Sequence, residues 1–293
     1  MAVVNTNVNA SVAQNALVRN ERSMNQAMER LSTGQRINSA GDDAAGLAIA
    51  SRMTSQIRGL ETAVRNANDA ISMVSTADGA LVEISNMLQR MRELALQASN
   101  GTTTSDDREY LNKEYENLIA EIERIANNTQ WNGNAILQGD AAAAGNSEVK
   151  YQVGANGGQT IAVDFGDISQ SGGTPWSTFN LSANAGTASF ISASTTAGAL
   201  TQAGVALTQI DSALTAVNSQ RATFGAAINQ LSYAVDNLSN VKVNSEAARS
   251  RILDTDYANE TSNLARTQII QQAGTAMLAQ ANQLPATVLA LLQ

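Results

Sequence analysis

The sequence predicts a mainly α protein: a long, coiled-coil-like helical rod or bundle carrying a small β-hairpin insert. Apolar residues recur every seven positions in several separate stretches, the mark of helices packed along a narrow seam. Two prolines in 293 residues, Pro175 and Pro285, leave most of the chain free to run as uninterrupted helix. Between 139 and 200 the register vanishes, and ten of the 20 glycines gather there.

Composition narrows the function classes. Aromatic residues make up 4% of the chain, which argues for thin helical packing over a compact enzyme core. With no histidine and no cysteine, thiol nucleophiles, disulfides, imidazole bases and the usual zinc sets are excluded, so no cofactor, no metal and no enzyme activity are expected. A net charge of -8 with 18 dispersed basic residues disfavours nucleic acid. The uncharged tail is interrupted by Gln268, Gln271, Gln272, Gln280, Asn282, Gln283 and Pro285, so no membrane insertion is expected. Residues 1–10 lack a basic and an apolar signal region, so export would use a dedicated route.

The first helix carries Val3, Ala10, Leu17, Met24 and Leu31 seven apart and is expected to stop at Thr33, with Gly34 in the left-handed position after it. Residues 35–46 read as a connector. Asp42 and Asp43 there are read as caps for the next helix in preference to paired catalytic carboxylates, because nothing around them forms a pocket.

From 47 to 99 come Met53, Leu60, Ala67, Val74, Leu81, Leu88 and Ala95 at strict sevens, a rod of roughly 80 Å at ~1.5 Å per residue. After Asn100-Gly101 a capped start at 102–107 opens a second helix, with Leu111, Tyr115, Leu118, Ile122 and Ile125 on one side, that must fold back antiparallel. Off the seam of the first rod, Arg90, Leu94 and Gln97 share another face with Gln89 and Glu93 beside them. An unpaired Leu94 on that face calls for a partner.

Asn132-Gly133 marks a turn, and 150–153 with 159–165 flank the glycine-rich 154–158 as a β-hairpin. Residues 169–196 read as Ser/Thr/Gly-rich surface loop or weak strand. Helical spacing resumes with Ile210, Val217, Phe224, Leu231 and Leu238. A polar interval at 244–256, holding Arg249 and Arg251, is expected to be a second connector, joined to Asp42 and Asp43 by at least one charge-assisted bond. From Thr267 onward 27 residues carry no charge, while Ile270, Met277, Leu284 and Leu291 recur at sevens with Ala273, Gly274, Ala281 and Val288 between. The two terminal seams are expected to pack on each other or on copies of themselves, giving a self-assembly core of Val3, Ala10, Leu17, Met24, Leu31, Ile270, Met277, Leu284, Val288 and Leu291.

The run from Leu31-Ser32-Thr33-Gly34-Gln35-Arg36-Ile37-Asn38 through Asp42-Asp43 to Ala50 resembles the N-terminal signature of bacterial flagellins. Residues 254–293, with Gln271-Gln272-Ala273 and 278–285, resemble their C-terminal signature, and Gln152-Val153-Gly154-Ala155-Asn156 resembles their hairpin. The resemblance covers roughly 1–140 and 200–293 and implies a flagellar filament subunit for swimming motility, in a short form with minimal outer domain. It implies terminal helices (1–44 with 254–293) in the inner core, a helical rod (45–140 with 200–253) in the surrounding shell, and a surface insert at 141–199. It further implies export of the unfolded chain through the flagellum's own channel to an extracellular location, with an export chaperone and a cap protein as partners. Residues 89–97 resemble the segment read by the innate-immune flagellin receptor, with Glu114 from the antiparallel helix supplying a second contact. A hook-filament junction protein shares terminal heptads and export route, but the closeness of both signatures favours the filament subunit. Flagellins with an inserted zinc peptidase need histidines, and this chain has none.

Overall fold

The computed structural model describes residues 7–139, 141, 147–168, 191 and 196–290. Among them it forms five helices and two antiparallel strand pairs: α1 Val8–Thr33, α2 Ala44–Ala98, α3 Ser105–Asn128, β1 Gln130–Trp131, β2 Asn134–Ala135, β3 Glu148–Gln152, β4 Thr160–Asp164, α4 Thr196–Leu253 and α5 Tyr257–Ala290. The mainly α class read from the heptads is what the chain adopts. Val3, Leu291 and, within the insert, 169–190 and 192–195 fall outside the described residues. Leu284 and Val288 lie on α5 beyond Gln283, the last residue there whose side chain is described.

Local chemistry sets the helix ends. The Asn7 side chain accepts from the Ala10 amide at 3.0 Å and caps α1, which closes at Gly34 (φ 70), whose amide donates to the Arg30 carbonyl at 2.9 Å. Asp43 starts α2: its carboxylate accepts from the Gly46 amide at 2.8 Å and its carbonyl from the Leu47 amide at 2.9 Å. Thr104 and Asp107 form a reciprocal capping box at the head of α3. The buried Arg108 turns back and donates to the carbonyls of Ala98 and Asn100, satisfying acceptors left open at the end of α2. Asn132 (φ 50) and Gly133 (φ 83) supply the two consecutive left-handed residues that the tight β1–β2 turn requires. The expected hairpin is β3–β4, in register from Glu148 opposite Asp164 to Gln152 opposite Thr160.

The expected extent of the second connector is overturned. Residues 244–253 are not a connector but the last turns of α4, and the break before α5 is confined to 254–256. Ser245, Glu246, Ala247, Ala248 and Arg249 are polar or small yet tolerated in helices, and no glycine or proline interrupts the stretch, so polarity here reports exposure rather than a break. Asp256 then caps α5, accepting from the Ala258 amide at 3.0 Å.

The chain divides into two compact units, Met1–Ile57 with Val243–Gln293 and Arg58–Lys242, the divisions falling inside α2 and α4. In the larger unit α2, α3, α4 and the hairpins share one core. Leu81, Ile84, Leu88 and Met91 of α2 meet Tyr115 and Ile122 of α3, Val163 and Phe165 of the hairpin region, and Ile210, Val217 and Phe224 of α4. The rings of Phe165 and Phe224 lie 5.4 Å apart. Glu61–Lys242 at 2.7 Å, Asp78–Arg221 at 3.0 Å and Arg92–Asp211 at 2.8 Å run down the antiparallel pair of α2 and α4. As partly exposed pairs they set register more than they stabilise.

Candidate self-association surface

In the smaller unit α1 and α5 lie antiparallel, joined by small and polar side chains together with Leu17, Met24 and Leu31 of α1. Asn7 Nδ2 donates to the Ala281 carbonyl at 2.8 Å, Asn20 Nδ2 to the Thr267 carbonyl at 2.8 Å and to Gln271 Oε1 at 3.1 Å, and Arg30 faces Glu260 at 3.8 Å. Leu17 lies so close to Gly274 that a Cβ there would stand 2.6 Å from Leu17 Cδ2. On α1 the half-buried and buried positions include Ala10, Ala13, Leu17, Asn20, Met24, Ala27 and Leu31, the seam expected from the sequence.

On α5 the expectation fails in part. The residues turned to α1 are Glu260, Thr267, Gly274 and Ala281, with Leu264, Gln271 and Leu278 beside them. Ile270 and Met277, expected in the seam, are 46% and 63% exposed. The physical reason is that α5 bears two seven-residue repeats, an apolar one and a small-residue one, and close approach of two helices selects the small one. The apolar stripe is left uncovered. Val8 and Val12 on α1 are 58% and 63% exposed, and Ile269 on α5 is also open. Val12, Ala13, Ala16 and Leu17 with Ile270 and Met277 line a groove of about 640 Å³ on this helix pair.

In the same unit, the chain's two halves are fastened at the connectors. The Arg36 amide donates to the Leu253 carbonyl at 2.7 Å, Arg36 Nη2 donates to the Ile252 carbonyl at 2.7 Å, and the Thr255 amide donates to the Gly34 carbonyl at 3.0 Å. The expected carboxylate–arginine bonds are not what joins them. Asp42 accepts from the amides of Asn38 and Ser39, the Ser39 hydroxyl and Gln26, and these bonds, Ser39's backbone first, hold its carboxyl below the usual range. Asp43 caps α2 and lies 3.9 Å from Arg36. Arg249 donates to Thr54 Oγ1 at 3.5 Å, and Arg251 sits on an exposed turn of α4. Both arginines are helical, not connector residues, which turns them away from the paired role. The residue that does bridge, Arg36, was not singled out from sequence, because a backbone acceptor leaves no charge pattern to find.

In the larger unit, Arg90 is brought to Glu114 of α3 at 2.8 Å and to Glu93 at 3.0 Å, with Gln89 and Gln97 exposed beside it. The two glutamates raise the Arg90 pKa, Glu93 first. Leu94 does not belong to this face. It is fully buried in the shared core, because α2 is packed there by both α3 and α4 and buries residues on either flank of its heptad seam.

A chain whose terminal helices pair through small residues and leave their apolar stripes open is built as a self-associating structural subunit. Residues 4–142 match the bacterial flagellin N-terminal helical region and 207–292 the C-terminal helical region. Flagellin of Halalkalibacterium halodurans is 43% identical over 99% of this chain and 100% of its own length, and that of Xenorhabdus nematophila 43% over 100% and 99%. Among solved structures, a candidate flagellar hook-associated protein of Vibrio parahaemolyticus is similar over 73% of this chain and 100% of its own at a TM-score of 0.57. At 18% identity it shares the fold alone. The chain belongs to the bacterial flagellin family. It is a structural subunit of the flagellar filament that assembles with copies of itself, not an enzyme.

Proposed function

We propose that 1–44 with 254–293 supply the self-assembling core of the filament, 45–140 with 200–253 a helical rod segment, and 141–199 a surface insert. The observation that carries this reading is the open apolar stripe of Val8, Val12, Ile269, Ile270 and Met277 on a helix pair held together by other residues. Such surface contributes ~25 cal/mol per Å² only when a second copy covers it. Val3, Leu284, Val288 and Leu291 extend the stripe in sequence. The filament serves swimming motility, and the chain reaches it extracellularly by export in unfolded form, with an export chaperone and a cap protein as helpers.

The exposed face of Gln89, Arg90, Glu93, Gln97 and Glu114 serves a neighbouring subunit in the filament and the innate-immune flagellin receptor when the subunit is free. Leu94 supports that face from beneath. Electron microscopy of purified chain added to filament fragments tests the main reading: long filaments growing from the fragments are expected. Short caps that stop growth would point to a junction protein, and no incorporation would contradict self-assembly.

A further inference from the structure

We propose that Met277 is an oxidation site at which a hydroperoxide halts self-association of the free subunit. The inference rests on the assembly role given above to α1 and α5. Met277 is 63% exposed and lines the apolar groove with Val12, Leu17 and Ile270. Met28 on α1 is also exposed but does not line that groove, while Met73 and Met91 are buried in the other unit, where the Tyr151 hydroxyl donates to the Met73 sulfur at 2.9 Å. Among the described residues, Met277 is therefore the one thioether in the lining of that groove, while Met73 and Met91 are shielded.

The step needs no catalyst. A sulfur lone pair attacks one oxygen of hydrogen peroxide, the O–O bond breaks, and the departing hydroxide takes the proton of the transferred hydroxyl. The products are methionine sulfoxide and water: sulfur loses two electrons and the peroxide gains them. The sulfoxide oxygen adds a strong acceptor and a large dipole to a groove lined mainly by apolar residues, Val12, Ala16, Leu17 and Ile270 among them, with Asn9 and Gln280 as its polar members, so the surface a second copy must cover becomes more polar and changes shape at Met277. Once a second copy covers the groove, peroxide no longer reaches the sulfur. Oxidation thus acts on subunits awaiting assembly and spares those already incorporated.

Purified chain is treated with hydrogen peroxide, mapped by peptide mass, and added to filament fragments. Met277 and Met28 are expected to gain oxygen before Met73 and Met91, and oxidised chain to elongate about tenfold more slowly, as placing a polar, bulkier group in a surface that must pack implies. Met277→Leu is expected to keep its untreated rate after the same treatment, whereas Met28→Leu is not. In preformed filaments Met277 should oxidise more slowly than in free chain. Equal inhibition of treated Met277→Leu and parent, or peroxide-treated parent elongating at its untreated rate, overturns the oxidation proposal alone. Failure of untreated chain to elongate overturns the assembly reading and this inference with it.

Discussion

The amide of Arg36 donates to the carbonyl of Leu253 at 2.7 Å, and the same residue's guanidinium reaches the carbonyl of Ile252. One residue of the first connector thus satisfies two acceptors left open where α4 ends, 217 positions along the chain, and places a cation at the negative end of that helix. The Gly34 carbonyl answers by accepting from Thr255. The two terminal helices are set in place by this clasp as well as by their own seam.

Arg36→Ala is expected to lower the stability of the terminal unit by about 1 kcal/mol, since the guanidinium bond is lost but the backbone bonds stay. Thermal melting followed by circular dichroism reads the change, with faster tryptic cleavage after Arg251 as a second sign of a loosened clasp.

Asp43→Ala removes the cap of α2 and should cost ~1 kcal/mol. Arg251→Ala should cost within ~0.5 kcal/mol, as for an exposed residue that bridges nothing. The double variant is expected to be additive, measured by urea unfolding. A coupling well above the error would restore the carboxylate–arginine bond that the structure replaces with Arg36.

Asp42 makes the connector acid-sensitive only at low pH. Its folded-state pKa is depressed below the ordinary 3.8, chiefly by the Ser39 backbone and then by the Ser39 hydroxyl and Gln26. The stabilisation is therefore complete above 3.8 and is lost as pH falls through the lower folded value. Hydrogen exchange at the Ser39 amide, corrected for its intrinsic pH dependence, should show constant protection from neutral pH to about 4 and a decline below. Asp42→Asn should abolish the decline.

Leu94→Ala should destabilise the larger unit by about 2 to 5 kcal/mol, the range for emptying a buried leucine site, while Gln97→Ala three residues on should stay within ~0.5 kcal/mol. Chemical denaturation of the two variants separates a core residue from a surface one. Equal, small effects would return Leu94 to the exposed face.

Much of this was legible in the sequence because it is periodic or local. The strict sevens from Met53 to Ala95 give α2, Thr104 and Asp107 give the start of α3, and Asn132-Gly133 gives the turn. What was not legible depends on which neighbour arrives. Ile270 and Met277 look like the seam of α5, yet Thr267, Gly274 and Ala281 take it, because the sequence carries both repeats and hydrophobicity alone favours the one that is left open. Leu94 reads as off-seam for a helix with one partner and is core for a helix with two. The interval at 244–253 was misread because polar residues mark a solvated helix face as readily as a break.

The central claim is that the stripe left open on α1 and α5 drives assembly without holding the subunit together. Val12→Asp combined with Ile270→Asp tests it most directly, since both side chains are exposed and each charge would be buried unpaired in a filament. Seeded elongation of this variant, followed by electron microscopy and sedimentation, is expected to fall by more than about tenfold while the melting profile of the free subunit stays that of the parent. Elongation at the parental rate by a normally folded variant would contradict it.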